Sequence, residues 1–568
     1  MRAAAAAVTA VLVALLAYGA SVLTSVPRPY SDEGWVGAFS WSVATGHGRR
    51  EPLLSDTSLY RGIDHWTSVA GTLPFVAAHL ADGSSLTAFR TASFVVGVLS
   101  LVLLLAALWR LGPAPALACA ALLTASWGFV DTTHLVRWDA AAVFVVSAML
   151  LLAGRGTPSP RRTAVIAALL IVGLDVEPAT VALAPGALLL IAGPHAGRRR
   201  RLAVFGSALV VFGAAYIALR LLPAPGVARA QFDDVYAAGP YRLPLLRIFS
   251  EGSLHPLTAE LDRYRAMTLA RSNSSVFGTL LLLEAGLAAA VALLAAAGRR
   301  LSARAAPAVL LVGYVLTLGL IQGNRSPTYA WYALPLATAS VACLLFSEPR
   351  PGRPWRRERL VLGGAVLLGA VLAVSGVAGL AGPRPQTFAQ AAVFAGVGLA
   401  GRRRTATRAW QLAATGTITG LALVGGAALV HTARTTPASP LTSSALAAAA
   451  RTIAPNETVM GEWQWWYLFG NGQYRANSEI WLIRYSSGVT FAEAFARLCP
   501  DVVLLDDDWL DRYAQKTAFP SLAPTVPSEE AQLLATLHRF YRRGAHGEAD
   551  GDRFAFWHRI APGCAGQP

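Results

Sequence analysis

Long apolar runs, broken by short polar stretches, fill the first 431 positions of the chain. A helix that spans the hydrocarbon core of a bilayer needs about 20 mostly apolar residues. Thirteen runs are candidates: 5–26, 86–110, 114–130, 136–154, 163–174, 177–193, 202–222, 276–297, 305–322, 329–347, 359–380, 387–400 and 410–431. The runs 163–174 and 387–400 are short and need tilt or neighbouring residues to span. The first run follows Arg2 and has the outline of a signal peptide, but its length and the spans behind it favour a retained helix. Beyond residue 431 the pattern changes. Val502–Leu505 and Phe554–Ile560 read as strands, and 490–498 and 528–543 as helical stretches. The expected architecture is an α-helical polytopic membrane protein of about thirteen spans (1–431), followed by a small α/β domain (432–568).

Composition and charge sharpen this picture. Hydrophobic residues make up 54% of the chain and charged residues 14%, against about 25% charged in soluble domains. Most of the chain therefore sits in lipid. The net charge is +16, which by itself would suggest an anionic partner. Sorted by loop, it becomes a topology signal. With the N-terminus in the cytoplasm, the inside holds 21 arginines against Glu348 and Glu358, or +19, and the rest of the chain carries −3. Positive charge stays inside, so an odd span count puts the tail outside, together with the large loops 27–85 and 223–275. No nucleic-acid partner is implied. Lys516 is the one lysine, which argues against Schiff-base chemistry. Cys119 and Cys343 lie in apolar runs. Cys499 and Cys564 lie in the tail, where pairing and free thiols are equally open readings.

Polar residues that carry chemistry cluster at the outer ends of spans. Tyr30-Ser31-Asp32-Glu33-Gly34-Trp35 follows the first span. Adjacent carboxylates at a lipid boundary are costly unless solvated or used. They read either as a general base with a positioning partner or as a helix cap on Asp32. Downstream stand Tyr60-Arg61-Gly62-Ile63-Asp64-His65-Trp66 and Phe89-Arg90. Thr133-His134-Leu135-Val136-Arg137-Trp138-Asp139 enters the fourth span. Arg137 has the planar donor fork that suits phosphate, and Asp139 is placed to orient it. Pairing of Arg137 with Asp139 or with Asp32 and Glu33 is the competing reading. Gly173-Leu174-Asp175-Val176-Glu177-Pro178 joins spans five and six. Arg325-Ser326-Pro327-Thr328-Tyr329-Ala330-Trp331-Tyr332 joins spans nine and ten. Glu284 is an intramembrane carboxylate. In the tail, Glu462-Trp463-Gln464-Trp465-Trp466-Tyr467 reads first as a half-buried strand and second as a sugar-stacking surface. Asp506-Asp507-Asp508 reads as a solvated turn before a cation site.

The order of these motifs resembles the GT-C glycosyltransferases, most closely bacterial relatives of protein O-mannosyltransferases and of the aminoarabinose transferase that modifies lipid A. Trp66-Thr67 stands where relatives carry prolines, and Glu177 where a basic residue is common. The resemblance implies transfer of a sugar from a polyprenyl-phosphate donor to an acceptor hydroxyl at the outer face of the cytoplasmic membrane, with inversion. The acceptor is a lipid, a glycan or a protein. Asp32 and Glu33 would be catalytic, Arg137 and Arg325 would bind the donor phosphate, and Asp64, His65, His134, Asp139, Glu177, Tyr329 and Tyr332 would line the pocket. Relatives differ in holding a divalent metal, so a metal beside Asp32 and Glu33 stays open. A transporter or flippase, and a non-catalytic scaffold for envelope assembly, are the alternatives.

Overall fold

The computed structural model describes residues 2–27, 31–54, 62–154, 156, 158–193, 197–232, 274–297, 303–322, 328–346, 444–507, 528–549 and 552–560, with short pieces between 418 and 441 and single residues at 248, 252, 509 and 564. Ten of the thirteen expected spans fall on helical segments there. The expected spans 359–380 and 387–400, and most of the loop 223–275, lie outside the described residues. Span 410–431 is described only in helical pieces from 418 onward.

The helices run α1 (Arg2–Ser21), α2 (Ser31–Ala44), α3 (Val69–Asp82), α4 (Leu86–Leu108), α5 (Pro113–Thr124), α6 (Trp127–His134), α7 (Asp139–Ala153), α8 (Pro160–Val176), α9 (Ala184–Ile191) and α10 (Arg198–Arg220), then helices at Ser274–Ala297, Ala306–Ile321 and Leu334–Leu345. Small residues let them approach closely, as expected where lipid gives no hydrophobic drive between helices. A Cβ on Gly186 would meet the Leu310 backbone, and one on Gly97 would meet Thr133. The expected loop 27–85 is itself built of α2 and α3. Ser68 starts α3 by accepting the Gly71 N–H at 2.7 Å, and Gly83 ends it at φ 67°, a conformation that favours glycine.

One expected span is corrected. Residues 114–130 do not form one straight helix, because α5 and α6 meet at 71°. Ser126 is extended, with φ −90° and ψ 140°, and its hydroxyl accepts the Phe129 N–H at 3.3 Å. This cap starts a new helix two residues after the first one ends.

The tail holds a five-stranded sheet in the order β2-β1-β3-β5-β4, made of β1 (Val459–Gly461), β2 (Tyr474–Ala476), β3 (Val502–Asp506), β4 (Tyr541–Ala549) and β5 (Asp552–Arg559). β1 runs parallel to β2 and β3, β5 runs antiparallel to β3, and β4 antiparallel to β5. The expected helix 528–543 ends at Phe540, and Tyr541 already belongs to β4. Every residue of β3 is buried, so both faces of the sheet are covered. Side chains alternate between faces along a strand. Val503 and Leu505 pack with Phe491, Phe495 and Leu537 on the tail's own helices. Val502 and Leu504 share a core with Val36 of α2, Phe75 of α3 and Phe89 of α4. The tail and the first loop are therefore joined through one hydrophobic core. Cys499 and Cys564 are disulfide-bonded, with their Cα atoms 5.4 Å apart, while Cys119 and Cys343 are buried and outside any disulfide.

A fully buried ion pair holds several helix ends together. Arg90 Nε and Nη2 donate to the two carboxylate oxygens of Glu33 at 2.9 and 2.8 Å, and Nη1 donates to the Leu23 and Pro27 carbonyls, both at 2.9 Å. Removing one partner of a buried pair strands the other charge and costs about 3–5 kcal/mol. Arg90→Met should therefore lower the thermal midpoint of detergent-purified protein sharply, and adding Glu33→Gln to it should recover much of the loss. An Arg90→Met protein that melts like the wild type would refute this assignment.

Candidate active site

The site forms where α2, the α6–α7 link and the segment 328–332 meet. Asp32 and Glu33 occupy the first turn of α2, where carboxylates face the positive end of the helix dipole. Successive helical positions point about 100° apart, so the two side chains diverge. Glu33 turns inward to Arg90 and also accepts the Val136 N–H at 2.9 Å. Asp32 stays accessible, with 38% of its side chain exposed.

Glu33 thus pins the residue before Arg137. α6 ends at His134, Leu135 is extended, and the Arg137 N–H returns to the Leu135 carbonyl at 2.9 Å. Arg137 then lies between two carboxylates: its Nη2 is 3.6 Å from Asp32 Oδ2 and its Nε 3.2 Å from Asp139 Oδ2. Asp139 is buried in the first turn of α7 and also accepts the Tyr332 hydroxyl. The Tyr329 and Tyr332 rings meet edge to face at 6.0 Å, and the Tyr314 hydroxyl holds the Tyr329 carbonyl at 2.6 Å. Glu177 caps the turn 178–183 and lies within electrostatic range of Asp139 and Arg137, as does Asp131 of α6. Asp32, Arg137, Asp139, Glu177, Tyr329 and Tyr332 therefore gather in one place. Arg325 lies outside the described residues, as do Tyr60 and Arg61.

Three expected pocket residues are engaged elsewhere. The Asp64 carboxylate accepts the Trp66 N–H at 2.7 Å, the Thr67 N–H at 3.2 Å and the Thr67 hydroxyl, closing its own turn. His65 meets the Arg220 carbonyl through Nδ1 at 2.6 Å, and burial pushes its imidazole below the ordinary value of 6.5. Arg220, at the end of α10, donates to the His65 and Thr67 carbonyls and pairs with Asp175 at 3.1 Å. This knot fastens the first loop to α8 and α10. His134 Nδ1 faces the Val26 carbonyl at 2.8 Å, and its ring lies edge-on to Phe94 in an apolar cleft against α1.

The Trp463–Tyr467 stretch is not a strand. It forms a 3-10 turn (Trp463–Trp465) followed by a short helix (Trp466–Phe469) and packs on α2. Asp506 is buried, bonded to the Trp465 indole N–H and to the Trp509 N–H, so it is not part of a solvated turn. Asp507 pairs with the exposed Arg553 at 3.1 Å, and Asp508 lies outside the described residues. Asp32 and Glu33 do not converge as metal donors, because Arg90 and the Val136 N–H occupy the Glu33 oxygens. Among the described residues no group of three or more His, Cys, Asp or Glu could hold a metal ion. Arg220 and Asp131 were not singled out from the sequence, and Arg90 and Asp175 stood in its motifs without a role. A buried arginine at a helix end is the signal that could have found Arg90 and Arg220.

No family model and no curated protein matches the sequence. Among solved structures, the chain is similar to ArnT from Cupriavidus metallidurans bound to undecaprenyl phosphate, with a TM-score of 0.56 at 15% identity, covering 99% of each chain. It is also similar to the apo state of that protein, with a TM-score of 0.54 at 14% identity and the same coverage. The fold is that of the GT-C class of polytopic membrane proteins, with a C-terminal α/β unit.

Glu51, beside the Asp64 turn, gives a prediction about pH. It is fully buried. Burial, with Asp64 adding to it, pushes its carboxyl well above the ordinary 4.5, against the pull of the Leu53 N–H. The folded state therefore prefers the protonated acid. The stability this group contributes is complete below 4.5 and is lost as pH rises through the raised value. As pH rises above the ordinary carboxylate value of 4.5, the thermal midpoint should fall more steeply in the wild type than in Glu51→Gln. Equal slopes would show that Glu51 titrates alike in both states.

Proposed function

We propose that the chain is a membrane glycosyltransferase. It moves a sugar from a polyprenyl-phosphate carrier to an acceptor hydroxyl at the outer face of the cytoplasmic membrane, in assembly of an envelope glycan or glycoprotein. One observation carries this reading: an accessible carboxylate, Asp32, stands 3.6 Å from an arginine that a second carboxylate fixes from behind. The full-length likeness to a fold solved with undecaprenyl phosphate supports it. The arginine bias of alternate loops supports an N-terminus in the cytoplasm and a tail outside.

The chemistry needs few parts. Asp32 takes the proton of the acceptor hydroxyl as that oxygen attacks the anomeric carbon. The bond from that carbon to the phosphate oxygen breaks, and polyprenyl phosphate leaves with the electron pair. The attack comes from the face opposite the phosphate, so configuration inverts. Arg137 meets the growing negative charge with donors already in place, and Asp139 and Tyr332 keep its fork from turning. Arg325 is the second phosphate ligand in this reading. Glu33 contributes as scaffold rather than as a second base. Tyr329 and Glu177 line the sugar side, and Asp64 and His65 anchor the first loop to α10.

Asp32→Asn keeps the side chain's shape and removes the base. It should lower glycan transfer by at least about a hundredfold in membranes that hold the native lipid-linked donor, while binding of undecaprenyl phosphate persists. Arg137→Leu should weaken both. Full transfer by Asp32→Asn would defeat the assignment. Substrate movement across sealed vesicles that is indifferent to Asp32→Asn would favour a transporter.

A further inference from the structure

Building on the proposed transferase activity, we infer that the tail is part of the catalytic apparatus, with Tyr467 acting as a positioning residue for the base. The Tyr467 hydroxyl donates to the Glu33 main-chain carbonyl at 2.7 Å, reaching across 434 residues of sequence. That carbonyl belongs to the residue that follows Asp32, in the same turn of α2. The bond is part-buried. Tyr467 is enclosed by Phe89, at 5.9 Å, and Trp466, at 5.2 Å, both edge to face, and burial pushes its phenol well above 10.0. It therefore serves as a fixed hydrogen-bond donor.

The fit beside this bond has no slack. A Cβ on Gly34 would collide with the Trp463 carbonyl, and one on Gly37 would meet the Tyr467 hydroxyl at 2.8 Å and the Trp466 ring at 2.9 Å. Neither glycine has a positive φ, so close approach rather than backbone conformation requires the missing side chain. Trp35 continues the seam, 5.4 Å from Trp463 and 5.9 Å from Trp138. Trp138 lies between Arg137 and Asp139. The tail thus bears on both sides of the Asp32–Arg137 gap: on α2 through Tyr467 and Trp463, and on the α6–α7 link through Trp35 and Trp138. Small misplacements of a reacting group are expensive in rate, so seating of the tail sets how well Asp32 works.

Two variants and one reference test this in membranes of a strain that lacks the chromosomal copy. Tyr467→Phe keeps the ring packing and removes only the hydroxyl. It should lower turnover at saturating donor about tenfold and leave the donor KM, the binding of undecaprenyl phosphate and the thermal midpoint near wild type. A purely structural role would move the midpoint and not the split between kcat and KM. Gly34→Ala should unseat the tail, abolish transfer and expose the Trp463–Phe469 stretch to protease while the spans stay inserted. If both variants turn over at the wild-type rate while Asp32→Asn is inactive, the positioning role is overturned and the transferase reading stands. If Asp32→Asn is also fully active, the transferase reading falls, and this inference falls with it.

Discussion

The geometry of the site depends on the Glu33–Arg90 pair. Both side chains are completely buried, and together they join four pieces of chain: the first turn of α2, the N-terminal end of α4, the exit of α1 at Leu23 and Pro27, and the α6–α7 link through the Val136 N–H. A buried carboxylate and guanidinium tolerate one another only with nearly all their hydrogen-bonding capacity used. That demand is directional, so the pair fixes orientation as well as proximity. Asp32 precedes Glu33 and Arg137 follows Val136. Whatever holds the inner pair in register therefore also holds the outer pair in register.

Asp32 and Arg137 stand next to the residues so fixed, yet they remain partly exposed. Rigidity is supplied from inside and accessibility is kept outside, the arrangement electrostatic preorganisation asks for. The shared core of Val36, Phe75, Phe89, Val502, Leu504 and Phe556 extends this support into the tail. The sequence suggests a boundary near residue 431 between lipid-embedded and water-exposed chain. That boundary does not separate two independent cores, since the sheet face that carries Val502 and Leu504 has its partner in the first loop.

Much of this was legible in the sequence, for physical reasons that differ from case to case. Lipid forces long apolar helices, so ten of the expected spans coincide with helical segments, one of them broken. Hydropathy missed the break at Ser126 because Thr124-Ala125-Ser126 bends a helix without lowering its apolar character much. Asp32, Arg137 and Asp139 were visible because charges at span ends are rare and conspicuous. A base with a positioning partner was already a reading of Asp32 and Glu33, but the partner that buries Glu33 was hidden, since Arg90 lies 57 residues away. The Trp463–Tyr467 run was read as a strand because ring density has no period of its own. Its real partner, α2, lies more than 400 residues upstream. Pairing of Cys499 with Cys564 likewise rests on a distance that no spacing reveals.

The core that spans Phe89 and Phe556 also sets an order of events. Chains emerge from the ribosome N-terminus first, and early parts begin folding while later ones are being made. Val36, Phe75 and Phe89 reach their places with one side uncovered and wait there through the synthesis of several hundred residues. Their cover arrives with β1, β3 and β5, and with it the Tyr467 bond to α2. Until then the nascent protein has its buried Glu33–Arg90 pair but lacks the contact that seats the tail on α2. That seat forms last, when the tail closes on a loop made long before it.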